Sequence, residues 1–453
     1  MTDILFIAYE FPPLNRGGVF RSLYFAKYFN DFNIKPHIIT LSSENYNKIY
    51  KDTTLDNSLL KNLDGKNINI VNIESDDLLL KNKNKVKNFL RIYFNFTKGS
   101  EFKYWKKDFF KKSNEIILNN NIKAIFVTAP PFGVLSQADK LSKKYNLPLI
   151  VDMRDAWTYW ITSPYPSKWH FNKTLKKENY ILRNANKVIV TSKQTIKDFQ
   201  SLHPDVSYNK YEYIPNGYDE EVEFRPFIVD FSDKKEVVIT YIGSFYYSPE
   251  AQKALSSAKS EKKGYKKLQY TPRKEDWLYR SPYYFFKTLK KVFEKKPEFR
   301  KKVIVKFAGS IPNWLSKMIE GFGLAENVKL LGFVSKNTAL ELQKQSDILL
   351  ITSSKVIGGR DYSIAGKTFE YFTMQKPILS FVTEGAQKDL LEESGMAIIC
   401  NPDEIDTSVN SLINLINNKL TFEPELNLMA SLRRKKLTEK LSEIINNEIN
   451  NNE

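Results

Sequence analysis

The chain has 453 residues but one cysteine, Cys400, and three histidines, at positions 37, 170 and 203. A lone thiol excludes an internal disulfide and suits a reducing compartment. The histidines are scattered with neither metal nor triad spacing, and His37 reads as a core or strand-end residue. With no Cys/His cluster and no D-x-D pair, the sequence calls for no metal. No run of about 18 apolar residues occurs, so no membrane-spanning helix is expected. The start, "MTDILFIAYEF", carries an acid where a signal peptide has basic residues, and the expectation is a cytoplasmic protein. The first apolar run is not followed by G-x-G-x-x-G, which counts against NAD.

Positive charge is abundant: 69 Lys and Arg against 52 Asp and Glu give +17. Solvated lysine spread along the chain accounts for part of it. Residues 81–112 stand apart, with eleven Lys/Arg against Glu101 and Asp108, a net +9. Leu90, Ile92, Tyr93, Phe94, Phe96, Tyr104, Trp105, Phe109 and Phe110 are interleaved with these cations. Such a segment suits the surface of an anionic bilayer, with its rings at headgroup level. The same mixture could serve nucleic acid, but no nucleic-acid module motif occurs elsewhere, so the membrane reading leads.

Apolar runs and helical stretches alternate in both halves. "ILFIA", "KPHIITL", "KAIFVTA", "PLIVDM" and "KVIVTS" read as strands buried on both faces. Ser22, Phe25, Ala26 and Phe29 mark one face of the first helix, and "VLSQADKLSKKY" and "NKTLKKENYILRNA" are helical. Pro215, Asn216 and Gly217 punctuate the chain. The pattern restarts with "EVVITYIGS", "VIVKFAGS", "NVKLLGFVS", "DILLITSS", "KPILSFV" and "MAIIC". The fold class expected is α/β, with two Rossmann-like doubly wound domains facing a cleft. Their bounds are 1–222 and 223–427, with residues 428–448 as a C-terminal helix and the last polar residues frayed. Leu432, Leu437, Leu441, Ile444 and Ile445 mark the face of that helix.

Two loops could meet an anion. "YEFPPLNRGGVFRS" places Gly17 and Gly18 where a strand hands over to a helix, so that N–H groups can approach a phosphate; a tight turn is the plainer alternative. "SSKVIGGRDYSIAGKTFEYFTMQKPIL" ends like a P-loop, but Gly359 precedes Gly366 by seven positions where that motif needs five. What remains is a Gly-rich loop and a helix with Lys367, which can neutralise a phosphate, and Glu370, which can accept from ribose hydroxyls; the plainer alternative is two exposed positions on an amphipathic helix with Phe369 and Phe372 as core. In "VDMRDAW", Asp152, Arg154 and Asp155 follow a buried strand. Asp155 could orient an acceptor hydroxyl and Arg154 pair with it or with a phosphate, or the three form a structural ion pair.

"FPPLNRGG", "DMRDAW", "NKVIVTS", "YIPNGYD", "YIGSFY" and "GKTFEY" with "KPIL" occur in the order seen in family 4 glycosyltransferases of the GT-B fold, which the chain resembles over nearly its whole length. The resemblance implies a nucleotide-diphosphate sugar held by the second domain and a glycan or lipid-linked acceptor held by the first. It also implies retention of configuration, cell-surface polysaccharide synthesis, no cofactor and a C-terminal helix crossing back. Gly17 and Gly18 are similar to the loop facing the donor diphosphate. Arg280 is similar to the arginine that stabilises it, with Lys287 or Lys367 as its partner. The N–H groups of Ser363, Ile364, Ala365 and Gly366 resemble phosphate donors, Glu370 the ribose ligand, and Phe333 and Val334 the base contact. Arg280, Lys367 and Asp155 are the catalytic candidates, with Arg154 and Asp155 on the acceptor side.

The sequence departs from that family at Tyr362, where many members carry the first of two glutamates; Asp361 or backbone groups could replace that contact. Residues 248–280 are extra, with nine Lys/Arg against four acids, either a surface flap or cover for a lipid-linked acceptor. The alternatives are a nucleotide-sugar 2-epimerase and a non-catalytic nucleotide- or glycan-binding protein.

Overall fold

The computed structural model describes residues 1–50, 55–74, 105–159, 164–256 and 267–453. They form two units. The first comprises residues up to 216, residues 267–272 and residues 434–453; the second comprises the described residues of 217–256 and residues 273–433.

In the first unit, β1 (Thr2–Ile7), β2 (Ile34–Leu41), β3 (Asn69–Ile73), β4 (Ile122–Ala129), β5 (Leu149–Met153), β6 (Lys187–Val190) and β7 (Tyr211–Tyr213) form one parallel sheet. The strand order is β3-β2-β1-β4-β5-β6-β7, so the winding reverses between β1 and β4. Central strands are buried on both faces, which explains their unbroken apolar runs. Helix α1 (Gly17–Phe29) and the helix Arg434–Asn452 cover one face; Phe25 and Phe29 share a core with Leu437, Leu441, Ile445 and Ile449.

The expected tail differs in two respects. Leu432 packs in the second unit, and the helix does not fray at its polar end: Ile449 is buried and Asn452 Nδ2 donates to the Asn146 carbonyl at 3.0 Å. One apolar side chain per turn and a side-chain bond at the last turn hold it.

The second unit contains β8 (Phe227–Val229), β9 (Val237–Ile242), β10 (Lys274–Asp276), β11 (Val303–Ala308), β12 (Val328–Gly332), β13 (Ile348–Thr352), β14 (Lys355–Ile357), β15 (Ile378–Phe381), β16 (Ala397–Cys400) and β17 (Leu420–Phe422). Six of them make a parallel sheet in the order β12-β11-β9-β13-β15-β16, reversing between β9 and β13. The antiparallel pairs β8–β17 and β10–β14 form two separate two-stranded sheets. Both units are thus doubly wound, and in such sheets ligands bind beyond the carboxyl ends of the strands where the order reverses.

Of the basic segment 81–112, residues 81–104 lie outside the described residues. Trp105 and Phe109 correct the expectation for its remainder. Both are buried, with Trp105 edge-on to Tyr9 and 5.0 Å from the Phe109 ring, so they pack the sheet instead of meeting a bilayer. Of the extra stretch 248–280, Tyr270 joins the first unit through paired backbone bonds with Tyr165, 3.0 and 2.8 Å, and β10 joins the second. Residues 257–266 lie outside the described residues.

Candidate functional site

In the second unit the site is built at the ends of β9 and β13. The chain leaves β9 through Gly243, whose φ of +114° disfavours any residue with a Cβ. A Cβ here would also sit 3.0 Å from the Lys367 ammonium. Gly309, at the end of β11, packs against the Gly243 carbonyl so closely that a Cβ would collide with it. Gly332 ends β12. Three neighbouring strands therefore finish in glycine and leave backbone at the sheet edge. "YIGS", "FAGS" and "LGF" carried that signal; the sequence argument used all three as strands without reading the glycines that end them.

Lys367 opens the helix Lys367–Thr373, and its Nζ lies 3.6 Å from the centroid of the buried Tyr241 ring. Burial pushes this ammonium down from 10.5 to about 7, with Glu370 pulling the other way. Arg280 acts on the same ring: its charge lowers the pKa of Tyr241, which burial raises. Arg280 Nε donates to Glu275, its Nη2 lies 3.3 Å from Ser354 Oγ, and its guanidinium faces Trp277 and Tyr246. Glu275 is buried; desolvation raises its carboxyl against the pull of Arg280. Both cations thus bear on Tyr241, Lys367 by contact and Arg280 through its charge. Lys287, the other candidate partner, lies on the exposed face of the helix Tyr283–Lys295, whose other face carries Phe286 and Leu289.

Two of the four expected phosphate donors need correction. Ser363 N–H donates to Asp361 Oδ1 at 3.0 Å, and Ala365 N–H to Gln387 Oε1 at 2.8 Å. Internal acceptors already hold both, while Ile364 packs on the apolar core and Gly366 is exposed. Asp361 accepts from Ser354 and Ser363 hydroxyls at 2.6 and 2.8 Å, so it braces the loop and does not replace the missing glutamate. Tyr362 is buried beside it. Phe333 is 83 % exposed just beyond β12, with Val334 half-buried, and Glu370 lies one turn after Lys367.

In the first unit, α1 starts at exposed Gly17 with no side chain capping it. Arg154, at the end of β5, reaches the Gly18 carbonyl with Nη1 at 2.6 Å and the Pro130 carbonyl with Nη2. A Cβ on Gly18 would fall inside contact distance of that guanidinium. Both terminal nitrogens of Arg154 are thus committed to backbone carbonyls. Arg154 lies 3.6 Å from Glu10, which also accepts from Tyr50 at 2.7 Å and Arg16 at 3.2 Å. Asp152, expected to follow the strand, lies within β5 and is fully buried against Arg21 at 2.8 Å and Thr128 at 2.8 Å. Arg21 also donates to the carbonyls of Ile214 and Pro215, 2.9 Å each. Asp155 is half-buried at the end of β5. Arg21 has no local sequence signal, because its partners lie far away in the chain, and of the partners of Glu10 only Arg16 is near in sequence.

Residues 281–436 match the family model "Glycosyl transferases group 1". No curated protein matches this chain in sequence. Solved structures are similar over nearly all of it. A glycosyltransferase from Rickettsia africae is 15% identical, with 100% of this chain and 94% of that one covered and a TM-score of 0.52. An Anabaena protein in complex with UDP-glucose is 14% identical, with coverage of 100% and 99% and a TM-score of 0.51. UDP-GlcNAc 2-epimerase from Methanocaldococcus jannaschii is 11% identical, with coverage of 98% and 100% and a TM-score of 0.50. At these identities the likeness establishes the fold, which is GT-B, and the family match supports glycosyl transfer.

Proposed function

We propose that the protein is a retaining, family 4-like hexosyltransferase that moves a sugar from a nucleotide-diphosphate sugar to a glycan or lipid-linked acceptor. It works without a metal, on the cytoplasmic face of an anionic membrane, in cell-surface polysaccharide synthesis. The observation that carries this reading is Lys367, a desolvated lysine held against Gly243 at the switch point, within the stretch that matches the transferase family. Breaking the sugar–diphosphate bond builds negative charge on the leaving oxygen. Cations and N–H groups already in place lower that barrier, each by roughly 3–4 kcal/mol when well aligned. Lys367 and Arg280 supply the charge, Glu370 takes the ribose, and Phe333 and Val334 flank the base. The acceptor, oriented by Asp155, attacks from the face that the diphosphate leaves. Gly17 and Gly18, opening α1, offer N–H groups suited to a phosphate.

The test is turnover of a panel of UDP- and GDP-sugars by the purified protein, reading release of nucleoside diphosphate. One sugar nucleotide should be consumed, and Lys367→Ala should slow it at least about 100-fold. Unchanged turnover in Lys367→Ala and Arg280→Ala would overturn the assignment. Conversion of the donor into its C2 epimer would favour the epimerase instead.

A further inference from the structure

The helix Lys168–Asn184 has an outer face that no described element covers. Trp169, Lys173, Lys176, Tyr180 and Arg183 follow one another at helical spacing, and all are exposed. Trp169 and Tyr180 are more than half exposed, although large rings are usually packed away. Cations flank both rings: Lys173 Nζ lies 4.9 Å from the Trp169 ring, and Lys143, from the adjoining helix Gly133–Tyr145, lies 4.5 Å from that of Tyr180. The only acid in the helix, Glu178, points inward and meets His203 at 2.9 Å. The outer face is therefore cationic and aromatic; an acid beside it, Asp205, lies 3.6 Å from Arg183 at the end of the helix and accepts from Asn179 at 2.8 Å.

We infer that this face seats the protein on a bilayer containing anionic lipid. The inference rests on the reading above that the acceptor is presented at a membrane, and it names the surface that makes the contact. Two rings eleven residues apart on one straight face are separated by about 16 Å along the axis. A helix lying flat brings both to headgroup depth together, while the lysines meet lipid phosphates. Glu178 turns inward and Asp205 offsets only Arg183, which leaves Lys173 and Lys176 to meet lipid. A nucleic acid would be met by the same cations, but a straight outer helix face offers no groove to track a backbone.

Sedimentation of the full chain with vesicles tests the idea, using phosphatidylcholine alone or mixed with phosphatidylglycerol. Binding should require the anionic lipid and fall as salt rises. Lys173→Gln with Lys176→Gln should weaken it about 30-fold. Trp169→Phe should abolish a blue shift of tryptophan emission on binding. These exposed substitutions should leave the melting temperature and nucleotide binding unchanged. Vesicle binding that the lysine variant retains in full would overturn the inference, as would binding to DNA without binding to vesicles. Loss of nucleotide binding in the parent protein would refute the transferase reading instead, and leaves the vesicle result to stand by itself.

Discussion

Binding of a nucleoside diphosphate should draw a proton from solution, and the structure identifies where it goes. In the free protein Lys367 is held at about 7 where a lysine ordinarily titrates at 10.5. That gap corresponds to roughly 5 kcal/mol of cost for carrying charge at this spot. A diphosphate beside the ammonium restores the charged form. Below pH 7 the lysine is already protonated, so this group adds no pH dependence to binding. Above it, affinity should fall by up to about tenfold per pH unit until the raised pKa of the complex is reached. Near pH 8 the ligand's own phosphates are almost fully ionised, since their last proton leaves near about 6. Calorimetric titration of UDP and GDP there, in two buffers of different ionisation enthalpy, should report uptake close to one proton. Lys367→Gln should show none. The free protein obeys the same linkage: between pH 7 and 10.5 the unfolded chain binds the extra proton, so this group's contribution to stability rises with pH across that window. No proton uptake in the parent, or equal uptake in Lys367→Gln, would refute the reasoning.

Other perturbations separate structural roles from binding ones. Arg21→Ala strands the buried Asp152 carboxylate and should cost about 3–5 kcal/mol in chemical denaturation; a loss under about 1 kcal/mol would contradict the pairing. Gly18→Ala pushes its Cβ into Arg154 and should lower stability by about 1–3 kcal/mol and reduce turnover. Gly17→Ala meets nothing within 4 Å and should fold normally; equal melting temperatures for the two variants would count against the clamp. Leu441→Ala empties a fully buried position in the C-terminal helix and should cost about 2–5 kcal/mol, measured by denaturant titration.

Much of the fold was legible because strands buried on both faces need unbroken apolar runs, as in "AIFVTA" and "ILLIT". β3, "NIVNI", escaped because asparagine interrupts it, and it lies at the sheet's edge. β7, "YEY", is three residues long and merges with the turn after it. Helix starts at Gly17 and Lys367 could be read from glycine placed before apolar periodicity. The side chains that hold the loops could not: Arg21 meets Asp152, and Glu10 meets Arg154, across more than a hundred residues. Ser363 and Ala365 show a further limit, since which N–H remains open depends on Asp361 and Gln387 folding back onto the loop. Trp105 and Phe109 show that aromatic residues among cations can be core as readily as surface.

The central claim is that the glycine edge of the second sheet, with Lys367 and Arg280, receives a diphosphate. A crystal structure of the protein with UDP or GDP bound tests it most directly. The account predicts a phosphate oxygen within about 3 Å of Lys367 Nζ, beside Gly243. A nucleotide seated elsewhere, with Lys367 still resting on Tyr241 and no phosphate near it, would contradict the account.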